Sequence, residues 1–136
     1  MTIFLKKVPR LTKTYKISTI SKLTGFSIPT LRYYEKLGLL NPKRDANNYR
    51  CFTANDLRWI KFIKRAKATG MPLAKIIEYS QLRAQGTGTI QERIAILEQQ
   101  EQILYTEQAK IQEHIEFLQN KKQFYAKLKA KIKKNR

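Results

Sequence analysis

Acidic residues are scarce in this chain: 10 Asp and Glu stand against 28 Lys and Arg in 136 residues, a formal charge of +18. A magnitude of about 2–8 serves solubility in a small domain, so the excess calls for a polyanionic partner. Cysteine is nearly absent. The single Cys51 excludes an intrachain disulfide and a multi-cysteine metal site within one chain. No run is long and apolar enough to span a bilayer. The opening MTIFLKKVPRLTKT has no apolar core of signal-peptide length, so the expected location is cytoplasmic, with no membrane partner. The one histidine, His114, reads as a polar residue of a long helix. No phosphate loop or nucleophile motif occurs, and Glu35, Asp45, Asp56 and Glu78 form no obvious acid–base pair. Neither catalysis nor a cofactor or metal is expected.

Charge is segregated along the chain. Residues 1–89 carry net +14, residues 90–120 net −4, and residues 121–136 net +8. A basic head, an acidic rod and a basic tail imply local function at the ends. Residues 1–14 read as a basic, disordered arm. Tyr15–Ile17 read as a short extended piece, after which Ser18 is placed to cap a helix ending at Gly25. Ser27 caps a second helix, with Pro29 in its first turn and Gly38 as its stop. Helix, Gly-containing turn, helix is the layout of a helix-turn-helix. Turn formers between Asn41 and Asn48 give way to Tyr49-Arg50-Cys51-Phe52, which reads as a hairpin wing. Thr53-Ala-Asn-Asp56 is a capping box for a third helix that Gly70 stops. Pro72 opens a fourth, ending at Gly86. The head therefore spans 15–86.

Thr87-Gly88 reads as a flexible joint, and Thr89-Ile-Gln-Glu92 as a second capping box. No proline or glycine interrupts residues 89–136. Ile90, Leu97, Leu104, Ile111, Leu118, Tyr125 and Ile132 recur seven apart, the period of a coiled coil. A second row is irregular: Ile96, Ile103, Phe117 and Phe124 on one flank, Ile94 and Ile115 on the other, with Glu101, Gln108 and Lys122 interrupting. That irregularity favours antiparallel pairing over a parallel zipper. A helix folded back on its own head is the competing reading, but the head is too small to cover so long a stripe. Residues 87–136 are thus expected to form a homodimer seam with a basic tail. The fold class is mainly α: a winged helix-turn-helix head followed by a long coiled-coil helix.

On the second helix Ile28, Leu31 and Tyr34 share one face, while Thr30 and Tyr33 point away, flanked by Arg32 and Lys36. A hydroxyl, an aromatic ring and two cations on an exposed face suit a major-groove reader. The same pattern also describes an ordinary basic surface helix, and that helix alone does not decide. The wing carries Lys43, Arg44, Asn48, Tyr49 and Arg50, groups that neutralise or hydrogen-bond phosphates. The third helix adds Arg58, Lys61, Lys64, Arg65 and Lys67, with Trp59 and Phe62 in its apolar run as core. Cys51 reads as a small structural wing residue rather than a reactive thiol.

The stretch SIPTLRYYEKLGLLNP from Ser27 to Pro42, with Arg44, NYR at Asn48–Arg50 and Asp56, resembles the MerR family of bacterial regulators. The likeness runs from residue 15 to about 130. It implies that Thr30, Arg32, Tyr33 and Lys36 belong to a recognition helix. It makes Arg44, Tyr49 and Arg50 wing contacts, and Lys64 a backbone contact near the operator centre. It also implies an antiparallel coiled-coil dimer and an operator in an overlong promoter spacer, distorted for RNA polymerase holoenzyme.

Tyr79–Gly86, with Thr89 and Glu92-Arg93, is similar to a small-protein branch answering aldehydes or electrophiles. The sensing cysteine of that branch falls at Arg65 here, so that signal is in doubt. Since the chain ends with the coil, no separate effector domain is expected, and signal input is placed around Tyr79–Arg93. The expected function is sequence-specific regulation of transcription at an inverted-repeat operator on double-stranded DNA. The alternative is a non-specific architectural DNA-binding protein.

Overall fold

The computed structural model describes residues 13–135. All but the end of the expected basic arm lies outside the described residues. Strand β1 (Thr14–Tyr15) starts one residue inside that arm and leads directly into α1 (Ile17–Thr24). The helix begins earlier than Ser18 predicts. Lys16 is the N-cap and supplies no side-chain cap, so Ile17 is helical rather than extended. Gly25 closes α1 at φ 80°, and its N–H bonds the Ser21 carbonyl. That left-handed conformation is one that a side chain makes costly.

Ser27 caps α2 (Ile28–Lys36) as expected: its Oγ accepts from the Thr30 N–H at 3.2 Å. The wing is a hairpin of β2 (Lys43–Arg44) and β3 (Arg50–Thr53), and β1 adds to the other edge of β3. Pairing is antiparallel throughout, with Lys43 opposite Cys51, Arg44 opposite Arg50, and Tyr15 opposite Phe52. The tip is organised by one acid. Asp45 Oδ1 accepts from the N–H groups of Asn47 and Tyr49, each at 2.9 Å. Asn48 takes φ 65°, a conformation asparagine tolerates better than most residues.

The capping box at Thr53 and Asp56 opens α3 (Ala54–Ala68), with both reciprocal bonds formed. Helix α4 (Leu73–Ala84) follows. One element differs in kind from expectation. Thr87–Thr89 is a turn of 3₁₀ helix rather than a loose joint. The Thr89 hydroxyl donates backward to the Leu82 carbonyl at 2.5 Å, with the Gly86 carbonyl 3.0 Å away, and Arg93 Nη2 donates to Gly86 at 3.0 Å. These bonds tie the turn at Thr89 and the first turn of the following helix back to the end of α4.

Helix α5 runs from Ile90 to Lys134, 45 residues. The chain divides into two compact units at Ile96 and Leu97. In the first, Ile20, Leu31, Tyr34, Phe52, Ile60, Ile63 and Ile76 are fully buried, drawn from every helix of the head and from β3. Trp59 is anchored among them: its indole N–H donates to the Leu39 carbonyl at 2.8 Å, and its ring stacks on Phe62 and Tyr79. Trp59 is therefore core, as its place in the apolar run implies. Ile96 corrects the expectation for the coil's flanking row, because it is buried with the head core. In the second unit, Leu97–Arg136, the described large apolar side chains lie exposed along α5, with Leu104 at 38% and Ile111 at 58%.

Candidate nucleic-acid interface

Burial sorts α2 into two faces. Leu31 and Tyr34 are each 1% exposed and seat the helix on the core, while Tyr33 is 50% exposed and Arg32 and Lys36 are open to solvent. Thr30 is half-buried, and its hydroxyl accepts from Ser27 Oγ at 2.8 Å. The outward set is the one the 3.6-residue period assigns. Its underside is pinned by Tyr34, whose hydroxyl accepts from Lys67 Nζ at 3.0 Å and whose ring meets Phe26 edge-on.

The wing is tied to this helix by an acid with no role in the sequence pattern. Glu35 Oε1 accepts from Arg50 Nε at 2.7 Å, and Glu35 Oε2 lies 3.5 Å from Arg44 Nη2. Arg50 and Glu35 side chains are about a fifth exposed, so water screens their pairing less than at an open surface. Arg44 also donates to the Asn48 carbonyl at 3.3 Å. Both wing arginines are thus held in place before any ligand arrives. Arg50 is half-buried rather than freely extended, whereas Tyr49, Asn48 and Arg44 are exposed. The one signal in the sequence is that Glu35 is the only acid before Asp45 in a strongly basic head.

Between α1, α2 and the wing lies a cleft of about 450 Å³, lined by Lys16, Ile17, Ser18, Arg32, Arg44, Asn48, Tyr49 and Arg50. No acid lines it. It also receives the start of α1, where the first N–H groups have no intrahelical partner and the helix dipole is positive. Four cationic residues and the start of a helix on its lining give the cleft a chemistry that suits a phosphate-like anion. Arg32 therefore belongs as much to this cleft as to the outer face of α2. Lys16 and Ser18 were missed in the sequence because their places depend on how α1 docks beside the wing. Lys64 is exposed on α3, with its Nζ 5.2 Å from the centre of the Phe26 ring. Arg58, Lys61, Arg65 and Lys67 are exposed on the same helix. Among the described residues, no cluster of His, Cys, Asp or Glu could hold a metal ion, and no helix is long and apolar enough to cross a membrane.

A helix-turn-helix with a basic outer face, a wing and a long terminal helix is also what comparison with known proteins finds. Residues 15–82 match the MerR HTH family regulatory protein model, and residues 57–134 match the model described as MerR, DNA binding. The chain belongs to the MerR family. An HTH-type transcriptional regulator of Haemophilus influenzae is 36% identical over 118 residues, covering 86% of this chain and 87% of that one. The regulator AdhR of Bacillus subtilis is 37% identical over 89 residues, spanning 65% of this chain and 64% of AdhR. Among solved structures, HiNmlR, described as a MerR family regulator lacking the sensor domain and bound to promoter DNA, superposes with a TM-score of 0.70. It shares 34% identity and covers 87% of this chain and 94% of its own. A MerR-type structure from Listeria monocytogenes gives a TM-score of 0.71 at 32% identity, covering 79% and 82%. This MerR protein is a DNA-binding transcription regulator with a mainly helical, winged fold, and not an enzyme.

Proposed function

We propose that two copies of this MerR regulator associate through α5 and that the dimer reads an inverted-repeat operator, one half-site per head. The observation that carries the reading is the division of α2: Leu31 and Tyr34 lock its inner face into the core while Arg32, Tyr33 and Lys36 are left outward beside the phosphate-type cleft. In this reading Thr30, Arg32, Tyr33 and Lys36 enter the major groove. Arg44, Asn48, Tyr49, Arg50 and Lys64 hold phosphates and fix register, since backbone contacts position and base contacts specify.

The dimer seam is Ile90, Leu97, Leu104, Ile111, Leu118 and Tyr125, each exposed in the single chain. An apolar stripe this long is an interaction surface rather than a solvated one. Charge favours an antiparallel arrangement, which keeps the two lysine-rich ends apart. A parallel one would juxtapose two lysine-rich ends.

Bound in this way, the dimer bends and untwists the spacer between promoter elements, presenting them in register to RNA polymerase. A bend on this scale costs about 1–6 kcal/mol, and phosphate contacts from the two basic heads offset it. The HiNmlR complex with promoter DNA supports the reading. Three measurements test it. Genomic fragments captured by the protein should share an inverted repeat. Chemical cleavage should mark distorted base pairs at its centre. Shortening the spacer should strengthen the promoter in the protein's absence. Equal affinity for captured and random DNA at fixed salt would instead leave an architectural binder, and straight DNA in the complex would leave a steric repressor.

A further inference from the structure

We propose that the lysine tract at the C-terminal end of α5 is a second DNA contact, gripping phosphates that flank the operator without reading sequence. The proposal rests on the operator-binding reading above and adds a surface outside the head.

From Lys121 to Lys134 the helix carries seven lysines and no acid, and every residue of the stretch is exposed. The helix dipole explains only part of this. It favours cations within the last turn, which holds Lys131, Lys133 and Lys134; Lys121, Lys122, Lys127 and Lys129 precede that turn. The 3.6-residue period sets Phe124, Tyr125, Leu128 and Ile132 on one strip, with Lys122, Lys129 and Lys133 along one edge and Lys127, Lys131 and Lys134 along the other. A partner helix laid on the strip covers its apolar centre and leaves both lysine edges in water. Lys121 differs: it lies within the strip, its Nζ 5.5 Å from the Phe124 ring centre, and it belongs to the seam.

Pairing between two copies does not consume this charge. Residues 90–120 hold six acids and two bases, whereas residues 121–136 hold eight bases. Together these stretches retain +4 per chain whichever way the helices run. The polyanion nearest to hand is the duplex the heads already hold. A 45-residue helix spans about 67 Å at about 1.5 Å per residue, and a duplex presents one charge per about 1.7 Å of axis. Tens of phosphates therefore lie within one helix length of a bound head. Lysine suits them: it is a point charge on a flexible stem, indifferent to the bidentate geometry with which arginine reads bases. Once the heads bind, the tract acts at the effective concentration of a tethered group.

The test is the full chain with Lys127, Lys129, Lys131, Lys133 and Lys134 replaced by Gln, a residue of similar helix propensity. Affinity is measured against salt on two duplexes, one ending at the operator and one extended by about 20 base pairs per side, one helix length at about 3.4 Å per step. The wild type should bind the extended duplex more tightly, with a steeper salt slope. The variant should lose that gain, its slope on the extended duplex falling by about three units or more, while its affinity for the short duplex and its dimeric mass stay unchanged. The five Lys→Arg replacements should restore the gain. Equal slopes for variant and wild type on the extended duplex overturn the proposal. Dissociation of the variant dimer overturns it too, since the lysines would then serve the seam. A wild type that binds operator and random DNA alike removes the operator reading itself, a separate outcome.

Discussion

Glu35 and Arg50 are joined across the recognition helix and the wing by a 2.7 Å hydrogen bond, with Arg44 3.5 Å from the other carboxylate oxygen. The acid has two effects of opposite sign on DNA binding. It subtracts a positive charge from the interface, and it fixes the wing so that its cations face one direction. Glu35→Gln keeps the shape and removes the charge. Random-DNA affinity should rise, because two arginines are released to phosphates. Operator preference over random DNA should fall severalfold, because the wing loses its register. The head should also lose about 1–2 kcal/mol of stability, the scale for a partly screened charged hydrogen bond. Affinities for both DNAs at fixed salt decide it: an unchanged ratio contradicts the role assigned to Glu35.

Lys64 and Tyr33 should separate when each is removed. Lys64→Ala deletes a phosphate contact. It should weaken operator and random DNA alike and lower the salt slope by about one unit per occupied site. Tyr33→Ala or Arg32→Ala should reduce operator binding more than random binding, a base contact being worth about 1–3 kcal/mol of discrimination. Equal losses on both DNAs for all three variants would remove the major-groove assignment.

How far these residues could be found in the sequence depends on whether their placement is local. Ser27, Pro29, Gly25 and the Thr53–Asp56 box act within one turn of the chain, and the sequence places all of them correctly. The outward face of α2 follows from one helical period. Ser18 fails as a cap because the helix starts one residue before it, with Lys16 at the N-cap. Thr89 donates back to Leu82, seven residues away, because the chain turns there in a 3₁₀ helix. Ile96 fits the coil row in sequence, yet it is taken by a core built from Ile20, Ile60 and Ile76, far along the chain. The Glu35–Arg50 pair spans fifteen residues and needs the hairpin to fold before its partners meet. Long-range pairing of this kind carries no periodic signal.

The seam is testable by charge. Leu104→Asp with Ile111→Asp would bury carboxylates where apolar side chains meet, at a cost of several kcal/mol in an apolar contact. Light scattering should show the wild type as a dimer and the double variant as a monomer, with operator binding lost and the head's helical signal retained. A wild type that is monomeric at micromolar concentration would end the coiled-coil reading.

Cys51 sits half-buried in β3 opposite Lys43, inside the wing. Serine is close in size, and the strand pairing uses only the backbone. Cys51→Ser should keep operator affinity within about twofold, a difference of about 0.4 kcal/mol, and should keep regulation. Loss of an aldehyde or oxidant response with DNA binding intact would make the thiol a sensor.

Gly25 links the fold to the phosphate contact. It holds φ 80° at the turn between α1 and α2, and a Cβ built there would lie 2.5 Å from Lys64 Nζ. Gly25→Ala therefore meets two penalties. The left-handed conformation costs a non-glycine residue about 1–2 kcal/mol. The close approach involves the end of a flexible side chain, which can swing away at little cost, so conformational strain should dominate stability. The melting temperature should fall by about 4–8 °C for each kcal/mol in a domain of this size. Lys64→Met in the same chain should not restore it. Swinging Lys64 aside should nevertheless move its ammonium off the Phe26 ring and away from the phosphate it is proposed to hold. Gly25→Ala should then lower the salt slope of DNA binding as Lys64→Ala does, and the two changes together should lower it no further. Full recovery of stability by Lys64→Met would show that the clash, and not the backbone, sets the cost. An unchanged salt slope in Gly25→Ala would show that Lys64 reaches its phosphate without the space this glycine leaves.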